Sequence, residues 1–153
     1  MPTETNSIQQ PTSGNSVSDL VDALLEAARY DDLDDVISLY SLGVSLNAQD
    51  SQGRTALHMA AANGHVDIVE YLIRNGVDVN TSNTEKNTPL HWACLNGKKE
   101  VVRALILAGA NVSLLNSYER TPMDEAVARG EMDVVDAINA VVAQAELQGV
   151  GVF

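Results

Sequence analysis

Hydrophobic and polar positions recur along this chain on two scales. Within short stretches, Val69, Leu72 and Ile73, and again Val102, Leu105 and Ile106, fall at i, i+3, i+4, the spacing of one buried stripe on a helix. The second stripe repeats the first at an offset of 33 residues. The same offset relates an apolar column, Leu24, Leu57, Leu90 and Met123, and a small-residue column, Ala27, Ala60, Ala93 and Ala126. Polar and glycine markers keep the period too: Thr55, Thr88 and Thr121; Gly64, Gly97 and Gly130; Gly43, Gly76 and Gly109. An internal period of this length signals stacked units, here four of them, bounded at about 18–49, 50–82, 83–115 and 116–147. The first is the least regular, with Asp22 where Thr is expected and Asp31 where Gly is expected.

Each unit reads as a helical hairpin. Thr55, Thr88 and Thr121 suit an N-cap, where a side-chain oxygen takes an orphan backbone N–H, and Pro89 and Pro122 follow where a missing N–H costs nothing. The first helix runs through "LHMAAAN" or "LHWACLN" and stops at Asn-Gly, the glycine supplying a positive φ. A second helix opens with an acid in its first turn, Asp34, Asp67, Glu100 or Asp133, which complements the helix dipole. It ends at Gly76 or Gly109, and the polar stretches "TSNTEKN" and "LLNSYER" lead to the next unit as extended turns. One such hairpin cannot bury its apolar side, so the units must stack into a solenoid.

The pattern G-x-T-x-L-H-x-A-A-x-x-G-H, then V-x-x-L-I-x-x-G-x-D-V-N, in residues 53–80 resembles the ankyrin repeat, and residues 86–113 resemble it nearly as well. The resemblance covers roughly residues 20–140; Asp31 for Gly in the first unit, and Asp124 for His with Glu119 for Gly in the last, depart from it. It implies an all-α ankyrin-repeat solenoid of helix-turn-helix units with β-turn fingers, L-shaped in outline. It also implies a protein that binds other proteins, with no catalysis and no cofactor.

Composition narrows the class. Hydrophobic residues at 45% suffice for a packed core, and aromatics at 4% favour many small contacts over a few large anchors. Twenty-one acids against nine bases give a net charge of −12, which argues against nucleic acid as a partner, since neutralising phosphates needs clustered Lys and Arg. The charge is uneven: residues 20–48 carry six acids and one base, residues 82–114 two acids and four bases, and residues 115–153 seven acids and two bases. Such acidic ends would steer a basic protein and lose that pull as salt rises. No apolar run is long enough to span a bilayer, and the N-terminus lacks the pattern of a secretory signal, so no membrane partner and a cytoplasmic or nuclear location are expected. The protein is expected to act as a monomer. A lone cysteine, Cys94, has no second Cys for a disulfide or a zinc pair.

Candidate chemistry is sparse. His58 and His91 occupy one helical position in successive units, about 10 Å apart at a helix-packing distance, too far to share a metal. Their expected task is to hydrogen-bond the turn, and His65 reads the same way. Cys94 stands where the repeat has alanine and reads as a small buried thiol. The acidic patch Asp31, Asp32, Asp34 and Asp35 lacks the alternate-oxygen spacing of a calcium loop and is expected to serve a helix start.

Residues that vary between units while the frame stays fixed are those free to recognise a partner. On the concave side implied by the resemblance these are Arg29 and Tyr30; Gln52, Arg54 and Asn63; Glu85, Asn87, Leu95 and Asn96; and Tyr118, Arg120 and Arg129. Tyr30, Leu95 and Tyr118 are the expected anchors. Trp92 shares a column with Met59 and reads as packing between units or as a further anchor. Beyond the family pattern, Met59, Ala62, Asn63, Trp92, Leu95, Asn96 and Lys98 resemble an ankyrin-repeat chaperone that escorts a basic small-subunit ribosomal protein. That resemblance implies a basic ribosomal client; the alternative is a signalling adaptor with another partner.

The ends differ from the middle. Residues 1–17 read as a flexible tail, and residues 148–153 as a C-terminal tail. An end unit normally turns a polar face to water, yet Val134, Ile138, Val141, Val142 and Ala145 crowd the last helix ahead of "GVGVF". Self-packing, a docking surface or a longer parent protein would each account for that.

Overall fold

A computed structural model describes residues 16–149; the expected tails at 1–17 and 148–153 lie outside the described residues except at 16–17, where Ser16 caps and Val17 opens the first helix, and at 148–149. Eight helices pair into four hairpins: α1 Val17–Arg29 with α2 Leu33–Ser41, α3 Ala56–Asn63 with α4 Val66–Arg74, α5 Pro89–Leu95 with α6 Lys99–Leu107, and α7 Pro122–Ala128 with α8 Met132–Leu147. The first helices stack in one row, α1 on α3 on α5 on α7, and the second helices in an outer row whose tightest contact is α6 with α8. Among the described residues there is no strand, and no helix is long and apolar enough to cross a membrane. The all-α solenoid expected from the 33-residue period is the architecture found.

The inner helices begin as the sequence requires. Thr55, Thr88 and Thr121 accept from the N–H of His58, His91 and Asp124, and those three side chains accept in return from the cap N–H, closing a capping box each time. The first unit differs: its inner helix starts earlier, at Val17 with Ser16 as N-cap, so Asp22 lies inside the helix.

Every hairpin turns through one left-handed residue, Gly64 (φ 74°), Gly97 (φ 71°) or Gly130 (φ 72°), and Asp31 takes the same conformation (φ 63°) in the first unit. In all four the next N–H then reaches back to the alanine column, Asp32 to Ala27, His65 to Ala60, Lys98 to Ala93 and Glu131 to Ala126, at 2.8–3.0 Å. The irregular unit therefore keeps the geometry and changes only the residue. Asp32 adds a cap to α2 by accepting from the Asp35 N–H, a bond the later outer helices lack.

The core is a chain of seams. Leu24, Leu57, Leu90, Val69, Val102, Leu72 and Leu105 are buried, and the small Ala60, Ala61, Ala93, Cys94 and Ala126 let the inner helices approach closely. Ile68 and Val101, outside the stripe read from the sequence, are buried as well because each faces the preceding hairpin. In the last helix Val134, Ile138, Val141 and Ala145 are buried, and Val142 stays partly open.

The finger turns need a second left-handed residue per unit, Gly53 (φ 74°), Lys86 (φ 65°) and Glu119 (φ 60°). The departure at Glu119 thus leaves the turn intact, and Lys86 and Glu119 hold it at a steric cost glycine would not bear. Lys86→Gly is expected to raise stability by about 1 kcal/mol, a shift of a few degrees in Tm by thermal denaturation. No gain would mean that the finger relaxes at no cost.

Candidate functional site

The fingers are built from one asparagine or aspartate column. Asp50 Oδ1 accepts from the N–H groups of Gln52 and Arg54, both at 2.9 Å. Asn83 Oδ1 does the same for Glu85 and Asn87, and Asn116 Oδ1 for Tyr118 and Arg120. A side chain that satisfies two backbone donors holds each turn in one shape. Successive fingers then link edge to edge, Thr84 N–H to the Gln52 carbonyl (3.0 Å) and Ser117 N–H to the Glu85 carbonyl (2.9 Å). Gly53 fits here for a second reason, since a Cβ would lie 3.1 Å from the Asn83 backbone of the next finger.

The histidines tie fingers to helices. His58 Nδ1 accepts from the Thr55 N–H (3.1 Å), which leaves Nε2 to donate to the Asn87 carbonyl (2.8 Å). His91 repeats this from the Thr88 N–H to the Arg120 carbonyl. Each neutral imidazole joins its own helix start to the following finger. Burial, only partly opposed by the hydrogen bond to Asn87, pushes His58 down to about 4, and burial lowers His91 as well. His65 caps no N–H and donates from Nε2 to the Arg29 carbonyl, 2.8 Å away. Cys94 is fully buried and its thiol is pushed up to about 12 by that burial, which removes it as a nucleophile near neutral pH.

Several expected contact residues belong to this frame. Asn87 is buried: its N–H goes to Asn83, its carbonyl takes His58, and its side-chain oxygen takes the Asn116 amide at 2.9 Å. Those three groups are committed to the turn, although Asn87 also lines the cleft described below. Arg54 holds Asp50 at 2.7 Å. Burial pushes the Asp50 carboxyl up, but hydrogen bonds from the Arg54 side chain and from backbone N–H groups outweigh it and hold the acid below its ordinary range. Asn63 and Asn96 each spend an amide hydrogen on the fourth carbonyl back, Met59 and Trp92, at 2.8 Å. Arg29 reaches the Met59 sulfur, 3.5 Å away.

Glu125 is the frame residue the sequence reading passed over. It is 8% exposed, accepts from Asn116 at 2.6 Å and from Arg120 at 3.3 Å, and so joins the last finger to α7. Its column gives a divided signal, Met59 and Trp92 being apolar and Glu26 and Glu125 carboxylates.

The remaining side chains define the accessible surface. A cleft of about 360 Å³ between the last two fingers and α5 is lined by Glu85, Asn87, His91, Trp92, Leu95, Tyr118, Arg120 and the buried Glu125. Tyr118 is 70% exposed at its rim, whereas Trp92 is half-buried, edge-on to His58 with ring centroids 5.2 Å apart. Trp92 thus packs between units with one part and lines the cleft with another; Met59 is buried. Tyr30, 69% exposed, together with Arg29, Gln52, Asn63, Asn96 and Arg129, lies outside this cleft. The acids Asp31, Asp32, Asp34 and Asp35 are all exposed on the first unit, alongside Asp19, Asp22 and Glu26 of α1. The fourth unit is acidic too, with Glu119, Asp124, Asp133, Asp136 and Glu146 exposed, so carboxylates gather at both ends of the stack and the aromatic cleft lies between the third and fourth units.

A sequence model of ankyrin repeats matches residues 24–116 and 75–140, in three copies. Similarity to acyl-CoA-binding domain-containing protein 1 of Arabidopsis thaliana extends over 50 residues at 36% identity, 33% of this chain and 15% of that protein. The chain covers well under two thirds of that relative.

Because the fold refuses a proton at His58 that the unfolded chain accepts, the stability this histidine contributes is present above about pH 6.5 and is lost as the pH falls toward 4. Urea unfolding should show a loss of about 2 kcal/mol between about pH 7.5 and about pH 5, and His58→Gln should flatten that slope while lowering stability overall. An unchanged slope in the variant would place the proton uptake elsewhere.

Proposed function

We infer the function from one established point: the chain belongs to the ankyrin-repeat family, whose members generally bind other proteins and do not catalyse reactions. On that basis the protein is a binding module that grips a protein partner with its finger side. The observation that carries this reading is the cleft of Trp92, Leu95 and Tyr118, whose apolar surface stays accessible beside a frame that engages Glu125 and the Asn87 side-chain oxygen. Aromatic side chains bury large areas at small entropic cost, which suits them as anchors.

The partner we propose is a basic protein segment, and the client implied by the likeness at Met59, Asn63, Trp92, Leu95 and Asn96 is an unassembled ribosomal protein of the small subunit. The exposed carboxylates of the first unit, Asp19 through Asp35, support a basic partner. They act at a distance, drawing a cationic chain toward a surface where the cleft then holds it. A signalling adaptor is the alternative reading; it places the affinity in the cleft alone.

Affinity capture from cell extract across a salt series separates the two. A basic client should be retained at about 50 mM salt and released by about 500 mM, because screening shortens the reach of the first-unit acids. Tyr118→Ala and Leu95→Ala should each weaken binding about tenfold or more at fixed salt. Trp92, the sole tryptophan, should change its emission when the purified partner is added. Binding indifferent to both substitutions, with Trp92 emission unmoved, would take the cleft out of the reading; retention of the partner at high salt would favour the adaptor.

A further inference from the structure

The two ends of the stack are finished differently. At the leading end the columns that later units bury against their predecessor carry polar or small side chains: Asp35 stands where Ile68, Val101 and Val134 are buried, and Glu26 where Met59 is buried. At the trailing end the corresponding columns keep their apolar residues. Ala28, Ala61 and Cys94 are fully buried under the following hairpin, and the fourth member of that column, Val127, is 54% exposed. Leu24, Leu57 and Leu90 are buried, and Met123 is only partly so; Val36, Val69 and Val102 are buried, and Val135 is partly open.

Helix α8 carries the same face onward. It spans 16 residues where each other outer helix spans nine. Along its open side Met132, Val135, Asn139, Val142 and Glu146 alternate at spacings of three and four, the spacing of a seam that receives a second helix. Met132 is 55% exposed, and Val142, Met123, Pro122 and Ile138 border an apolar groove of about 310 Å³.

We propose that this trailing face is an interface between two copies of the chain, packed face to face about a two-fold axis that passes near Asn139. Three features select a second copy in this arrangement. The face continues, column for column, the apolar surface each unit offers to its successor, and two such faces bury Val127, Met132, Val135 and Val142 against one another. Head-to-tail stacking would press Val127 and Met132 against the carboxylates Glu26 and Asp35, and Glu26 has Val17 and Val21 where Glu125 of the same column has Asn116 and Arg120 to serve it. Asn139, the one polar side chain in the middle of the seam, has both a donor and an acceptor, and its own symmetry mate satisfies both. The pairing proposed departs from the single-chain state expected from the sequence.

Sedimentation of the 153-residue protein from about 1 to about 200 µM should show twice the chain mass at the upper end. Raising salt should strengthen the pair, since two copies of net charge −12 repel and the contact is apolar; the basic client responds in the opposite sense. Val127→Lys with Met132→Lys, both on exposed positions, should give a monomer of unchanged helicity by circular dichroism. Asn139→Cys should cross-link copy to copy under a mild disulfide-forming oxidant, with the buried Cys94 silent. A monomer at every concentration would overturn the proposal and leave the face to another helical partner. A pair that survives the double substitution, or fails to cross-link at residue 139, would overturn the two-fold axis placed here. Neither result bears on the cleft, which lies on a different side of the molecule.

Discussion

No hairpin in this molecule is complete without its neighbour, and that single constraint organises the rest. Leu57 and Leu90 reach near-zero exposure only because another pair of helices lies over them, and the same columns open to solvent as soon as the succession stops. Burial of apolar area between units supplies the driving force, while the backbone of each unit must be handed on in fixed register. The imidazoles of His58 and His91 do this handing on. A neutral ring offers one acceptor and one donor on opposite sides, which is what is needed to span from a helix start to the next finger.

This frame separates residues that hold the shape from residues left over. Asp50, Asn83 and Asn116 shape the fingers, and Asn87 and Glu125 lock the last two together, with the side-chain oxygens of all five engaged in those bonds. What remains is a half-buried indole, a leucine and an exposed tyrosine in one cleft, together with exposed carboxylates. Specific grip comes from the cleft, and long-range attraction from carboxylates at both ends of the stack, the fourth unit included.

The fold was legible because its signals are local and repeated. The Thr–Pro starts, the glycine stops and the i, i+3, i+4 stripes each state a helix boundary or face, and a fixed period multiplies each statement by the number of units. The first unit's irregularity was legible as well, although Asp31 turned out to copy the glycine conformation that its side chain disfavours. The binding side chains were harder to sort, since a variable polar residue on a finger can face solvent or close a hydrogen-bond network, and sequence does not distinguish the two. Asn87 looked variable and is committed to the frame; Glu125 looked ordinary and joins a buried network. The finger column Asp50, Asn83 and Asn116 was visible at the repeat offset and would have marked the turn residues in advance.

The edge-to-edge links between fingers carry a mechanical consequence. Thr84 to Gln52 and Ser117 to Glu85 connect adjacent fingers, as the helix rows connect adjacent hairpins, and no strut described among these residues joins distant units directly. A body joined only in this way behaves as a leaf spring: its softest deformation is a gradual flexing shared over every joint. Such flexing alters the spacing between Trp92 and Tyr118 by small rotations of whole units, and the molecule can adjust its grasp elastically without breaking a bond in its frame.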